Sequence, residues 1–140
     1  MIKLLNKVII ALAVVAVMGS ANAKTLKVET HFTASSPNGE VAAQFAKNVE
    51  SFSGGSLKIQ MFYSSSVSGK SAEVFNSAQT GIIDCDMTGA GYQTGKNAAF
   101  QFAGDVMGGY DTPYQQYDFL KFPGAQKAVD NLYNKYGMTL

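Results

Sequence analysis

The sequence contains no arginine and no tryptophan, and it has only one cysteine and three prolines among its 140 residues. Without arginine, the chain lacks the planar guanidinium that binds a carboxylate or phosphate through two parallel hydrogen bonds. An anion site built from this chain must therefore use lysine, hydroxyl groups, backbone N–H groups or helix ends. Because Cys85 is the single cysteine, an internal disulfide is excluded.

Charge of either sign is scarce and balanced, with eleven lysines and ten acidic residues. A nucleic-acid partner requires a basic face that neutralises phosphates, so this balance argues against one. The single histidine, His31, has no cysteine or second histidine near it in the sequence, which argues against a metal site. We expect neither a metal nor another cofactor.

The first 23 residues have the order of a secretory signal peptide. Lys3 and Lys7 make the start positive, an apolar run over Val8–Met18 follows, and Ala21-Asn22-Ala23 has the A-x-A form of a cleavage site. The apolar run is shorter than the roughly 20 residues of a membrane-spanning helix. We predict cleavage after Ala23 and export to the periplasm.

The remaining residues, 24–140, alternate between strand and helix patterns. Strands are predicted where apolar and polar residues alternate, and helices where apolar residues recur at spacings of three and four. The predicted elements are strands over Leu26–Thr30, Leu57–Phe62 and Ile83–Met87, with helices over Pro37–Phe52 and Ser71–Thr80 between them.

Helices of this length between short strands are typical of parallel crossover units, whose helices cover the faces of the sheet. The fold class predicted is α/β, a three-layer lobe with a mostly parallel sheet. Two further helices are predicted, one opening at Thr112-Pro113 and one over Gln126–Tyr136.

Three segments follow one another in an order typical of a known family. They are F-A-K-N-V-E-S-F-S-G-G-S-L-K-I-Q-M-F (Phe45–Phe62), E-V-F-N-S-A-Q-T-G-I-I-D (Glu73–Asp84) and G-A-G-Y-Q-T-G-K-N-A-A-F (Gly89–Phe100). Together they resemble the periplasmic solute receptors of TRAP transporters, the DctP-like family. The third segment looks like the hinge-side loop of the branch that binds 2-oxoacids and related carboxylates.

The resemblance implies a periplasmic-binding-protein-like lobe in a receptor without catalytic activity. Such a receptor captures a small organic acid and delivers it to the membrane permease subunits of the transporter. Family members are far longer, with two lobes that close on the ligand, and their carboxylate-binding arginine has no counterpart here. We therefore expect residues 24–140 to be the N-terminal lobe of a longer product, truncated before the second lobe is complete.

Candidate ligand contacts follow the predicted strands, because ligands of open α/β sheets lie off the carboxyl ends of the strands. Phe32 and Thr33 follow the first strand, Tyr63 follows the second, and Tyr92 and Gln93 follow the third. An aromatic ring with a hydroxyl, next to an amide, suits a small polar acid. Tyr92 and Gln93 are therefore the leading candidates.

Structural alternatives stay open at these positions. Ser36 in the first loop is explained equally well as a helix cap, and the Tyr92 ring as a packing residue of the lobe. In the third strand, alternation places Cys85 opposite Asp84 and Asp86, and we interpret Cys85 as an inert, buried thiol.

Two other functions compete with the receptor. One is a secreted domain of a single lobe with a structural or signalling role. The other is a secreted enzyme that uses His31 or the Tyr92 region. No nucleophile–base motif of a hydrolase is present, so we predict that the chain is not an enzyme.

Overall fold

The computed structural model describes residues 23–104, 106 and 108–140, so the predicted signal sequence before Ala23 lies outside the described residues. Within them, three strands form one sheet in the order β2–β1–β3. Their bounds are Lys24–Glu29 for β1, Leu57–Phe62 for β2 and Cys85–Asp86 for β3. Both β2 and β3 run parallel to β1. The predicted α/β class with a parallel sheet is confirmed, and hairpin pairing of the first two strands is excluded.

Four α-helices accompany the strands in the described part of the chain. They are α1 over Pro37–Phe52, α2 over Val74–Gln79, α3 over Pro113–Lys121 and α4 over Pro123–Asn134. Short 3-10 turns cover Ser71–Glu73, Ala90–Gln93 and Ala98–Phe102. None of the described helices has the length and apolar content that a membrane crossing requires.

Helix α1 begins and ends where its flanking residues predict. The Ser36 hydroxyl accepts a hydrogen bond from the Gly39 N–H at 3.1 Å, and Pro37 occupies the first helical position. After the helix, Gly54 has a φ of 60°, a left-handed conformation that glycine adopts without steric cost. Gly39 packs directly on the preceding loop. A Cβ at this position would lie only 2.0 Å from the Thr33 carbonyl oxygen, so a larger residue does not fit.

The helices lie on opposite faces of the sheet. Ala42 of α1 and Met87, which follows β3, line one groove on the first face. Asp86, the neighbour of Met87, points to the second face together with its register partner Glu29. On that second face, Glu29 is linked through Ser68 to α2. The layers are therefore helix, sheet and helix, as predicted.

An aromatic core joins α2 to α4 and to the segment after β3. Phe75 and Phe100 are buried with ring centroids 5.7 Å apart in an edge-to-face arrangement. Tyr133 and Tyr136 of α4 pack against both rings. Aromatic pairs of this geometry stabilise a core beyond the area that they bury. The last helix is thereby fixed to the same layer as α2.

Two predicted elements are shorter than their sequence patterns. The predicted strand over Ile83–Met87 pairs only at Cys85–Asp86, because the Ile83 N–H turns back to the Ser77 carbonyl at 3.2 Å. The predicted helix over Ser71–Thr80 opens as a 3-10 turn and becomes α-helical at Val74. Periodicity indicates which residues share a face and does not specify where hydrogen bonding begins.

Candidate functional site

Three loops meet at the carboxyl edge of the sheet, because the strands run in the same direction. They cover residues 30–36 after β1, 63–70 after β2 and 87–93 after β3. The Ser64 N–H donates to the Phe32 carbonyl at 2.9 Å, and the Ser65 N–H donates to the Thr30 carbonyl at 3.1 Å. Ser64 and Ser65 have left-handed φ angles of 57° and 51°, which are uncommon for residues with a Cβ. The first two loops therefore form one hydrogen-bonded unit.

Glu29, the last residue of β1, is a fully buried carboxylate that binds the second loop. Its Oε1 accepts hydrogen bonds from the backbone N–H groups of Val67 at 2.6 Å and Ser68 at 3.3 Å. Its Oε2 accepts a hydrogen bond from the Ser68 hydroxyl, which is also bonded to the Ser77 hydroxyl of α2 at 2.7 Å. A buried charge is costly unless it is hydrogen-bonded, and here the bonds fasten the loop to β1 and α2.

A second polar group lies beside Glu29 and has no such bonds. Glu29 pairs with Asp86 in the register of β1 and β3, and continuing this register places His31 beside Thr88 on the same face. Among the described residues, His31 Nδ1, Asp86 Oδ1 and Thr88 Oγ1 are buried without a hydrogen bond of ordinary length and angle, although the side chain and backbone of Thr88 approach the Asp86 carboxyl closely enough to affect its pKa. We call these three residues the edge cluster. The one further atom of this kind in the described residues, Ser65 Oγ, belongs to the adjoining loop.

Burial raises the pKa of the Asp86 carboxyl above its ordinary value of 3.8. Hydrogen bonding from the side chain and backbone of Thr88 and the charge of His31 oppose this rise in pKa, while the Glu29 carboxylate adds to it. Burial also raises the pKa of Tyr133, and the charge of Asp86 adds to that rise.

Aromatic rings surround the edge cluster on its open side. The His31 ring lies 3.9 Å from the Phe32 ring and 5.0 Å from the Tyr92 ring, measured between centroids. Tyr92 is 46% exposed, so its ring is accessible from solvent. We call the packed rings of His31, Phe32 and Tyr92 the aromatic wall.

An open apolar groove of about 310 Å³ lies across this wall, between α1 and the strand ends. It is lined by Phe32, Asn38, Val41, Ala42, Phe45 and Met87. Val41 and Phe45 remain 69% and 44% exposed, although α1 is an amphipathic helix that packs on β2. The carboxyl edge thus has a buried polar cluster and an open apolar groove on either side of the His31–Phe32 contact.

The five predicted ligand contacts have different positions at this edge. Phe32 lines the apolar groove, and Tyr92 packs against His31. Tyr63 is half-buried at the start of the second loop. The structure thus brings Phe32 and Tyr92 together around His31.

Thr33 and Gln93 take part in bonds within the lobe. The Thr33 side chain is exposed, and its carbonyl accepts hydrogen bonds from the Ser36 N–H at 3.1 Å and the Ser36 hydroxyl at 2.7 Å. Gln93 is only 2% exposed, and its Nε2 donates to the Ala72 carbonyl at 3.2 Å. Gln93 therefore ties the third loop to the segment before α2.

Sequence reasoning passed over Glu29, Asp86 and Thr88. A sequence signal for them exists. Glu29 and Asp86 are acids at the ends of β1 and β3, and each is followed by a loop rich in hydroxyl or glycine residues. The interpretation of Cys85 as a buried thiol is wrong, because its side chain is exposed. Cys85 and Val28 are register partners, but Val28 lies in the central strand and is covered, whereas Cys85 lies in a short strand at the edge.

The residues described here contain no group of three or more His, Cys, Asp or Glu side chains arranged to hold a metal ion. His31 and Asp86 together supply two potential ligands, fewer than protein metal sites commonly use.

Residues 28–113 match the sequence profile of the DctP family, described as bacterial extracellular solute-binding protein, family 7. This match covers more than half of the chain, and the chain belongs to that family. The family is one of solute-binding receptors outside the cytoplasm and is not an enzyme family. No curated protein sequence matches the chain.

Solved structures of TRAP periplasmic solute-binding proteins share the fold. One from Rhodobacter sphaeroides, in an open form without ligand, is 25% identical with a TM-score of 0.75, covering 81% of this chain and 36% of that one. One from Pseudoalteromonas atlantica, with bound sodium and pyruvate, is 20% identical with a TM-score of 0.75, covering 83% and 35%.

A third solved structure is a Bordetella pertussis extracytoplasmic solute receptor that binds pyroglutamic acid. It is 23% identical with a TM-score of 0.69, covering 84% of this chain and 38% of that one. The chain therefore spans a little over a third of the length of each of these three proteins.

Proposed function

We propose that this chain supplies the N-terminal lobe, residues 24–140, of an extracytoplasmic solute receptor. The receptor captures a small organic acid and delivers it to the membrane permease subunits of a TRAP transporter. The observation that carries the proposal is the open apolar groove at the carboxyl edge of the sheet, with the polar side chains of the edge cluster beside it. Ligands of open α/β sheets bind at this edge.

The two sides of the edge suit the two parts of a small organic acid. The apolar groove beside Phe32 and Met87 accommodates a short carbon skeleton, and the edge cluster provides hydrogen bonds to polar substituents. Pockets of a few hundred Å³ with a few convergent polar groups are typical of small-molecule sites. Among the predicted contacts, Phe32 and Tyr92 are positioned to touch the ligand directly, while Thr33, Tyr63 and Gln93 shape the loops around it.

We further propose that the solute belongs to the 2-oxoacids and related carboxylates. The segment Gly89–Phe100 resembles that branch of the family, and two of the solved relatives bind small carboxylic acids, pyruvate and pyroglutamic acid. Because the chain has no arginine, any carboxylate contact within it uses lysine, hydroxyl or backbone N–H donors.

Export through a cleavable signal peptide is the third part of the proposal. The positive start, the apolar run and the Ala21-Asn22-Ala23 sequence support cleavage after Ala23. Intact-mass measurement of the protein recovered from the periplasm tests this directly. A mature chain that begins at Lys24 is expected, and a chain that retains Met1 would contradict it.

Binding is tested by nuclear magnetic resonance titration of the full chain with a panel of small carboxylates, using neutral sugars as a comparison. We expect saturable shifts with at least one acid and none with the sugars. The variant Tyr92→Ala should weaken acid binding several-fold, because it removes the exposed ring of the aromatic wall. Tyr114→Ala is the matched control, since Tyr114 is 80% exposed on α3. Equal weakening by both variants, or no binding of any acid, would contradict the proposal.

A further inference from the structure

The first turn of α1 contains the only asparagine–glycine pair of the sequence, Asn38-Gly39. Asparagine is one of the chemically labile residues. A glycine that follows it leaves the nitrogen of the shared peptide bond unshielded, because glycine has no Cβ. The Asn38 side chain is exposed and lines the apolar groove. Its amide is therefore accessible to water in the folded protein.

The reaction open to such a pair is deamidation through a cyclic imide. The Gly39 backbone nitrogen loses its proton to solvent and attacks the Asn38 side-chain carbonyl carbon, Cγ. A bond forms between these two atoms, the bond from Cγ to the side-chain nitrogen breaks, and the leaving group takes a proton from solvent and departs as ammonia. Water then opens the imide at either of its carbonyl carbons, which gives aspartate or isoaspartate. Water is the only co-reactant, and nothing is oxidised or reduced.

The folded start of α1 keeps the Gly39 nitrogen from this attack. Its N–H donates to the hydroxyl of Ser36, the cap residue, at 3.1 Å. Asn38 is already within the helix, and its ψ angle has to leave the helical range before the Gly39 nitrogen reaches Cγ. Gly39 is also buried against the Thr33 carbonyl, which leaves no room for it to shift toward the loop. The reaction therefore requires the first turn of α1 to open.

We propose that Asn38-Gly39 is a deamidation site controlled by the Ser36 cap, and that it reacts only in molecules whose first turn of α1 has opened. The rate in the folded protein is then proportional to the population of this locally open form. Both products place a negative charge in the lining of the apolar groove. Aspartate is favourable at a helix N-terminus, whereas isoaspartate lengthens the main chain and displaces Gly39 from Thr33.

The test follows deamidation of the full chain by mass spectrometry during incubation under native conditions at mildly alkaline pH. Peptide mapping locates the product, since exchange of NH₂ for OH raises the mass of the peptide that contains Asn38. Ser36→Ala removes the cap hydroxyl and should raise the rate about fivefold, through a larger open population. Ser35→Ala is the matched control, since Ser35 is the exposed neighbour of the cap residue, and its rate should stay within about twofold of the parent.

The same incubation in denaturant measures the reactivity of the pair without the helix. There the parent and Ser36→Ala should react at equal rates, both faster than the folded parent. Asn38→Gln should remove the mass change at this position in both conditions, because its longer side chain closes the imide ring far more slowly.

Faster deamidation of folded Ser36→Ala, combined with equal rates in denaturant, supports the inference. Equal rates for the folded parent and folded Ser36→Ala would overturn control by the cap. Different rates of these two proteins in denaturant would also overturn it, because Ser36 would then act on the chemistry and not on the helix. A folded parent that reacts as fast as the denatured one, or no reaction in denaturant, would overturn the site itself.

Discussion

The Glu29 carboxylate and the Val67 backbone N–H are joined by a 2.6 Å hydrogen bond across 38 residues of sequence. One end of this bond is the last residue of the central strand, and the other is in the serine-rich loop after β2. This buried acid fastens the serine-rich loop to β1, in addition to the backbone bonds of that loop to Thr30 and Phe32. Both oxygens of Glu29 are bonded to this loop, so the position of the loop at the carboxyl edge depends on Glu29.

Replacing Glu29 by glutamine should destabilise the lobe and loosen this loop. Glutamine keeps the size of the side chain but replaces one carboxylate oxygen by an amide NH₂, which cannot accept the hydrogen bonds that Val67 and Ser68 donate. We expect a loss of about 1.5–3 kcal/mol in the free energy of unfolding. Hydrogen exchange should also accelerate at the Val67 and Ser68 amides. Glu40→Gln, at an exposed position in α1, should cost less than about 1 kcal/mol.

Replacing Asp86 by asparagine should have the opposite effect on stability at neutral pH. Burial raises the pKa of Asp86, so the folded state binds a proton more readily than the unfolded state. Stability therefore falls as the pH rises from the unfolded value near 3.8 through the raised pKa. Asp86→Asn removes this loss, because a neutral amide is less costly to bury than a carboxylate.

Unfolding by denaturant at a series of pH values measures the Asp86 effect. The variant should be more stable than the parent at pH 7, and the difference should shrink as the pH falls toward 3.8. A variant that is less stable than the parent at pH 7 would show that hydrogen bonding from Thr88 to the carboxylate outweighs the cost of burying its charge.

Cys85 should react with thiol reagents in the folded protein, because its side chain is exposed. Burial around the sulfur raises its pKa above the ordinary 9.0, and the charge of Asp84 adds to this rise. Labelling by a disulfide reagent should therefore be slow at pH 7 and should accelerate up to and beyond pH 9. Asp84→Asn should increase the rate at pH 8. Protection of the thiol until denaturant is added would contradict the exposed position.

The pair Phe100 and Phe102 provides an internal comparison of core and surface. Phe100 is completely buried against Phe75, Tyr133 and Tyr136, whereas Phe102 is 69% exposed two residues later. Phe100→Ala should lower the free energy of unfolding by about 3–5 kcal/mol, through lost contacts and the cavity left behind. Phe102→Ala should change it by less than about 0.5 kcal/mol. Similar losses for both variants would mean that Phe102 is covered in solution.

The regular elements were predictable because local rules determine them. Helix α1 has the bounds Pro37–Phe52 and β2 has the bounds Leu57–Phe62, as expected from a serine cap, a proline, a glycine pair and strict alternation. The parallel order also followed, because helices between strands require crossovers. These features need no information about distant parts of the chain.

The site was less predictable because burial depends on what covers a face. Alternation in β1 places Glu29 opposite Val28, which normally means exposure to solvent, yet the loop after β2 buries it. The same alternation led to the wrong burial for Cys85 at the sheet edge. Tyr92 and Phe32 were predicted as ligand contacts from strand position alone, whereas placing Asp86 beside Glu29 required the register between β1 and β3.

Gly39 has a mechanical consequence for the lobe. Its Cα packs so closely on the Thr33 carbonyl that no side chain fits between helix α1 and the loop after β1. The helix backbone contacts the loop backbone directly, so no flexible side chain lies between them to adjust when the loop moves. A shift at the carboxyl edge is therefore transmitted along a rigid rod of 16 residues, roughly 24 Å long, to the far end of the lobe.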